Sequence, residues 1–77
     1  MDGVYLNNHE KSLLLQTEDG ILEFDNVKNF DRDTFGIYAK SLERKGLVTL
    51  FETEESGPEM ISLTTLGFKE IQALLKK

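Results

Sequence analysis

The 77-residue sequence contains no cysteine and no tryptophan, and only one proline and one histidine. The lack of cysteine excludes disulfides and thiolate metal sites and fits a reducing compartment. No apolar run is long enough to span a membrane, and the N-terminal stretch carries Asp2 instead of a basic, hydrophobic leader. We therefore expect a soluble, cytoplasmic protein.

Residues suited to enzyme chemistry are also scarce. His9 is the single histidine, and near a helix start we expect it at the surface, neither binding a metal nor acting as a catalyst. The sequence has no Gly-rich phosphate loop, no Ser/His/Asp set and no HExxH motif. We predict a protein that is not an enzyme and that needs no cofactor or metal.

Positive charge is the scarcer sign, because 9 Lys and Arg residues stand against 14 Asp and Glu residues, for a formal net charge of −5. Phosphate contacts from Lys and Arg supply most non-specific affinity for DNA. An acidic chain therefore binds nucleic acid well only if its few cations are gathered on one face. The positions of the cations are thus the main functional question.

The length allows one domain, residues 1–77, near the lower size limit for a core without disulfides or metals. Asn7, with Glu10 three residues later, predicts a capped first helix that ends near Gly20. Residues 21–24 form a brief, mostly apolar segment. Asp25 or Asn26 would then cap a short second helix that extends through residue 29.

The third predicted helix covers about residues 34–45 and is capped by Asp31 or Asp33. Gly46 follows in the usual position just past a helix end. The apolar side chains of this helix recur at a spacing that places them on one buried face. They are Phe35, Tyr38, Ala39 and Leu42.

Two strand candidates follow, at residues 47–53 and 59–63, with Gly57 and Pro58 predicted in the loop between them. Thr64 is placed to cap a last helix. The apolar stripe of that helix should pack on the first and third helices and consists of Phe68, Ile71, Leu74 and Leu75.

These elements resemble the winged-helix domains of MarR-type regulators, and look still more like the small YjcQ-like winged-helix proteins of Gram-positive bacteria and their phages. The resemblance covers about residues 13–75. It is carried by residues 33–35 (Asp-Thr-Phe), 42–48 (Leu-Glu-Arg-Lys-Gly-Leu-Val) and 63–67 (Leu-Thr-Thr-Leu-Gly). It implies an α+β fold, a small winged helix-turn-helix with a three-helix core, a β-hairpin wing and a C-terminal helix. It also implies a short strand at residues 21–24 that pairs with the hairpin.

The resemblance also implies that the third helix enters the major groove of double-stranded DNA and that the protein is a regulator of bacterial or phage type. The positions that would face bases are Thr34, Gly36, Ile37, Lys40 and Ser41. Gly36 and Ile37 stand where the family typically has Ser and Arg, and they offer no side-chain hydrogen bond to a base. On this first hypothesis the contacts to phosphate and bases come from Lys28, Arg32, Thr34, Lys40, Ser41 and Arg44.

The wing supports a second hypothesis, because it carries four carboxylates and no cation where the family usually has Arg. These carboxylates, from Glu52, Glu54, Glu55 and Glu59, would repel phosphate. The alternative is a protein-interaction module whose docking surface includes Ile37, Phe51, Glu54 and Glu55. The sequence leaves open whether the chain is a monomer or a small homodimer.

Overall fold

The computed structural model describes residues 5–76, so Asp2 lies outside the described part of the chain. These residues form three α-helices, one 3₁₀ turn and three strands, which confirms the predicted α+β class. In chain order the elements are α1 (Asn8–Leu15), β1 (Ile21–Glu23), the 3₁₀ turn (Phe24–Asn26), α2 (Arg32–Arg44), β2 (Val48–Thr53), β3 (Gly57–Leu63) and α3 (Thr65–Leu75).

Helix α1 begins with the predicted capping box. The Asn7 side chain accepts the backbone N–H of Glu10 at 2.8 Å, and the Glu10 carboxylate accepts the backbone N–H of Asn7 at 2.9 Å. The helix ends at Leu15, earlier than predicted, and turns lead on to Gly20. Just past its end the buried Thr17 hydroxyl donates to a carbonyl oxygen of the last helical turn at 2.5 Å, a local bond that competes with continued helix.

The predicted second helix is wrong, because the chain makes only a 3₁₀ turn there. Val27 is already extended, with φ −74° and ψ 137°, and Asn29 has a φ of 72°, a left-handed value that does not continue a helix. The Gln16 side-chain amide also makes two hydrogen bonds with the backbone of Lys28. Its amide nitrogen donates to the Lys28 carbonyl at 3.0 Å, and its oxygen accepts the Lys28 N–H at 2.9 Å.

Helix α2 corresponds to the third predicted helix, and its N-cap is Asp31, one of the two predicted caps. Asp31 accepts the backbone N–H and the hydroxyl of Thr34, and these hydrogen bonds hold the pKa of Asp31 below its ordinary value. Gly46 follows the helix with a φ of 80°, as its predicted role requires. Tyr38 is partly buried, and the rest of the predicted stripe is fully buried: Phe35, Ala39 and Leu42.

The three strands form one antiparallel sheet in the order β1–β3–β2. The short β1 pairs with β3 and ends where Glu23 lies opposite Met60. Gly57 and Pro58 were predicted in the loop and instead begin β3. Gly57, with a φ of 73°, pairs with Thr53, so the turn itself is only residues 54–56.

A β-bulge interrupts the pairing of β2 with β3. Phe51 lies opposite Met60, whereas Glu52, the next residue of β2, lies opposite Pro58, so Glu59 has no partner on β2. By ordinary alternation Phe51 and Met60 point away from α2, and Glu52 points toward it. Pro58 is two residues from Met60 and would share its face, but the extra residue in β3 turns Pro58 toward α2 instead.

The core lies between the inner face of the sheet and the three helices. The pairing register places Leu22, Ile61 and Val48 on that inner face. The largest fully buried apolar side chains come from α1, α2, β2, β3 and the residue before β2. They are Leu13, Leu14, Phe35, Leu42, Leu47, Val48 and Ile61.

Helix α3 is rotated relative to the prediction. Thr64 caps it, accepting the N–H of Gly67 at 3.0 Å, and the helix packs against α1 and β3. Ile71 is buried as predicted, but Phe68 and Leu75 are 46% and 62% exposed. The predicted stripe is wrong for these two residues, because Gly67 occupies the closest approach to the sheet instead.

Candidate interaction surfaces

Helix α2 presents a mixed face on the side turned away from the core. With 3.6 residues per turn, the exposed residues opposite the buried stripe are Asp33, Ile37, Lys40 and Arg44, which we call the outward face. It holds one acid, one apolar side chain and two bases. The outward face is therefore not a continuous basic stripe.

Arg32 connects the start of α2 to the hairpin. Its guanidinium donates to the carbonyl oxygens of Ser56 at 3.0 Å and Pro58 at 2.5 Å. It lies 3.6 Å from the Glu59 carboxylate and 4.3 Å from the centre of the Phe24 ring. Both backbone bonds are charge-assisted, and the ring contact is a cation–π interaction. Arg32, which was predicted to contact phosphate, is therefore held by contacts within the chain.

Lys40 lies two helical turns after Arg32 on the side of α2 that faces the hairpin. Its ammonium is 3.6 Å from the carboxylate of Glu52 on β2, and both side chains are about half exposed. An exposed pair of this kind stabilises the fold by less than about 1 kcal/mol. Its larger effect is electrostatic, because Glu52 offsets the positive charge that Lys40 would offer to a phosphate.

Gly36 lies between these two cations on the side of α2 that meets the hairpin. A methyl group on Gly36 would stand 2.8 Å from the Pro58 ring, so glycine is required for the hairpin to pack this closely. The hairpin therefore contacts α2 at three successive turns, through Arg32, Gly36 and Lys40. These three contacts together are called the hairpin latch below.

Thr34 and Ser41, the predicted base contacts, both make internal hydrogen bonds. The Thr34 hydroxyl bonds to the Asp31 carboxylate at 2.9 Å and accepts the N–H of Asp31 at 3.1 Å. The Ser41 hydroxyl donates to the carboxylate of Glu10 on α1. Neither side chain belongs to the outward face.

Glu10 is the centre of a buried polar cluster that joins α1 to the end of α2. The side chain is nearly inaccessible, and both of its oxygens accept the Lys45 ammonium at 2.8 Å. Burial disfavours the charged carboxylate, but hydrogen bonds from Lys45, Ser41 and the backbone of Asn7 outweigh it and hold the pKa of Glu10 below its ordinary value. The capping pattern predicts the role of Glu10 at the start of α1, but nothing in the sequence indicates its contacts with α2.

The remaining predicted phosphate contacts are Lys28 and Arg44. Lys28 is exposed and precedes α2, where Gln16 holds its backbone. Arg44 is exposed in the last turn of α2, and within residues 5–76 it forms no ion pair. Of the six predicted nucleic-acid contacts, only Lys40 and Arg44 share the outward face.

The residues of the alternative hypothesis lie on more than one surface. Ile37 is 62% exposed on the outward face of α2. Phe51 is 46% exposed on the sheet face that points away from α2, and Glu54 and Glu55 are exposed in the hairpin turn. The structure therefore does not bring Ile37 and Phe51 onto one surface.

A cleft on the outer face of the sheet was not predicted. It has a volume of about 410 Å³ and lies between the end of β1, the 3₁₀ turn and the hairpin. Its lining is Glu23, Phe24, Asp25, Phe51, Thr53, Glu59 and Met60. The lining comes from residues 23–25 and from the hairpin, which are far apart in the sequence, and the pairing of β1 with β3 brings them together.

Comparison of the chain with protein-family models, with curated proteins and with solved structures finds no match. In the part of the chain that the structure describes, no helix is long and apolar enough to cross a membrane. The same residues contain no group of three or more His, Asp or Glu side chains placed to hold a metal ion. Function must therefore be inferred from the surfaces described above.

Proposed function

We propose that this chain is a winged-helix-like domain that binds a partner protein and is not an enzyme. The order helix, strand, helix, hairpin, helix supports the winged-helix assignment, as does the pairing of β1 with the hairpin strand β3. The 3₁₀ turn replaces the second helix of that fold. Two properties favour a protein partner over DNA: the hairpin latch and the composition of the outward face.

The hairpin latch is the observation that carries the proposal. A DNA-binding copy of the fold would present the cations of α2 to phosphate, but here the hairpin holds two of them. Arg32 is bound to two hairpin carbonyl groups and Glu59, and Lys40 is paired with Glu52. DNA binding would require phosphates to approach the same carboxylates, which repel them.

The outward face of α2 also suits a protein better than a base edge. Its centre is Ile37, an exposed apolar side chain with no hydrogen-bonding group. Asp33 and Arg44 flank it with opposite charges. An apolar centre with a mixed polar rim is the usual composition of a protein–protein interface.

Binding to random double-stranded DNA at low salt, measured by fluorescence anisotropy, separates the two hypotheses. Low salt strengthens any phosphate contact, so this condition favours DNA binding. We expect no saturable binding by the wild-type protein and no change in the double variant Lys40→Glu, Arg44→Glu. Saturable binding that this variant abolishes would refute the proposal and establish the DNA-binding function instead.

A protein partner is sought by affinity capture from a lysate of the source organism, and binding is then measured between the two purified proteins. Ile37→Ser removes the apolar centre of the outward face, and Glu54→Lys with Glu55→Lys reverses the charge of the hairpin turn. We expect at least one of these variants to weaken binary binding about tenfold or more. An unchanged set of captured proteins in both variants would contradict the surfaces named here.

A further inference from the structure

The early end of β1 creates the cleft on the outer face of the sheet. β1 stops at Glu23, opposite Met60, while β3 continues toward the hairpin turn. The 3₁₀ turn then carries Phe24 and Asp25 past the unpaired part of β3. A recess of about 410 Å³ is left between this turn and the hairpin, which is enough volume for one or two large side chains.

The floor of the cleft is apolar and partly accessible. Phe51 and Met60 are a directly opposed pair on adjacent strands, and Phe51 is 46% exposed. Phe24 adds a second aromatic ring to the lining, although the Arg32 guanidinium lies over that ring, which leaves Phe51 as the aromatic ring open to a ligand. A thioether beside aromatic rings makes a surface that adapts to different apolar side chains.

The rim of the cleft is acidic. Carboxylates of Glu23, Asp25 and Glu59 line it, and no cation is among the lining residues. Glu59 is offset in part by Arg32 at 3.6 Å, whereas neither Glu23 nor Asp25 has an ion-pair partner within residues 5–76. A ligand that fills this cleft must therefore bring apolar surface and positive charge together.

We propose that the cleft binds a basic, amphipathic peptide segment of the partner protein, with an Arg or Lys side chain between the rim carboxylates and an apolar neighbour on Phe51 and Met60. The inference rests on the proposed function and names the site and the chemistry of the partner. Arg and Lys suit the site because each combines an apolar stem with a cation, and both can stack on an aromatic ring. The net charge of −5 attracts such a segment at long range.

The proposal is tested with three fluorescein-labelled synthetic peptides and the full chain, by anisotropy at low and at physiological salt. One peptide alternates Arg with Leu, the second alternates Arg with Ser, and the third alternates Glu with Leu. The Arg–Leu peptide should bind at least about tenfold more tightly than either of the others, because only it carries both properties. Equal binding of the Arg–Leu and Arg–Ser peptides, or no binding of any peptide, would overturn the proposal.

A variant with a matched control tests whether the binding is at the cleft. Phe51→Thr should weaken binding of the Arg–Leu peptide about tenfold, whereas Thr49→Ala, on the same face of β2 but outside the cleft, should leave it unchanged. Thermal unfolding of each variant confirms that it is folded. Equal affinity of the Phe51 variant and the wild type would place any binding elsewhere.

The charge variants distinguish a specific site from general attraction to an acidic protein. Glu23→Gln with Asp25→Asn removes two charges from the rim, and Glu18→Gln with Asp19→Asn removes two from exposed positions that do not line the cleft. The first pair should weaken binding severalfold more than the second. Equal effects would show that only net charge matters, which refutes the cleft as a site.

The cleft inference and the proposed function can fail independently. Suppose that a purified partner binds the wild-type protein, that this binding is lost in the Ile37 variant or in the Glu54 and Glu55 variant, and that the cleft variants still bind. The cleft inference then fails and the protein-binding function stands. If the wild-type protein instead binds DNA through Lys40 and Arg44, the proposed function fails whatever the peptides do.

Discussion

Gly67 has no room for a larger side chain. It lies in the first turn of α3, where the helix meets the backbone at the start of β2. A methyl group at Gly67 would overlap the carbonyl oxygen of Leu47 and stand 2.7 Å from a methyl carbon of Leu63 and 3.1 Å from the Leu47 carbonyl carbon. Since the main obstacle is backbone, Gly67→Ala must move α3 or distort β2.

The expected loss follows from two opposing effects. Replacing Gly by Ala inside a helix stabilises it by about 1 kcal/mol. Overpacking a closed site costs about 1–3 kcal/mol, and more where backbone must shift. Because the obstacle is backbone, the overpacking cost should lie at or above the top of this range, and we expect Gly67→Ala to lower the free energy of unfolding by about 2 kcal/mol or more. That is a large part of the roughly 4–12 kcal/mol available to a chain of this size. The corresponding fall in Tm is on the order of 10 °C or more.

Urea denaturation followed by circular dichroism measures this loss, and Ala73→Gly is the matched control. Ala73 is exposed on the same helix, so its replacement reports helix propensity alone and should cost about 1 kcal/mol. If propensity governed both sites, Gly67→Ala would be more stable than the wild type. A Gly67→Ala protein as stable as the wild type would refute the close approach of α3 to β2.

Three further stability predictions follow from other contacts. Glu10→Gln should cost about 1–3 kcal/mol at neutral pH, because it weakens the charge-assisted bonds from Lys45. The folded-state pKa of Glu10 lies below its ordinary value, so the difference in free energy of unfolding between wild type and variant should be largest above about pH 4.5 and should shrink as the pH falls further. Urea denaturation at several pH values checks this, and a difference that does not change with pH would contradict it. Thr64→Ala should cost about 1 kcal/mol through loss of the α3 cap, measured as a fall in Tm, and an unchanged Tm would argue that the cap is dispensable. Leu42→Ala should cost about 2–5 kcal/mol in urea denaturation, because Leu42 is fully buried, and a cost below about 1 kcal/mol would contradict that burial.

Local signals in the sequence were enough to identify the residues that cap the three helices and the glycine that follows α2. The caps at Asn7, Asp31 and Thr64 depend on residues only three positions apart, and Gly46 acts through its own backbone angle. Interactions of this range can be recognised from the chain alone.

Contacts between distant segments account for what the sequence did not reveal. The second helix fails because Gln16 binds the backbone of Lys28, twelve residues away. Arg32 has the charge expected of a phosphate contact, yet carbonyl groups more than twenty residues away hold it. Ser41 is turned inward by a carboxylate of α1. Spacing along one helix does not show which neighbouring element will occupy each side chain.

The position of Gly67 explains why the apolar stripe of α3 was only partly correct. Apolar spacing alone assigned Phe68 to the buried side. The smallest side chain decides the rotation, however, because only glycine allows the helix backbone to come so close to Leu47. Phe68 and Leu75 are left at the surface as a result.

The bulge at Glu59 makes the direction of the hairpin depend on one residue. If β3 instead kept strict alternation with all of its residues, Glu59 would lie opposite Glu52, and Pro58 would share the face of Met60 and turn away from Gly36. The hairpin would then lose the Pro58 contact with α2. A one-residue slip in the pairing of two exposed strand ends is thus enough to uncover part of α2, without any change to the buried core.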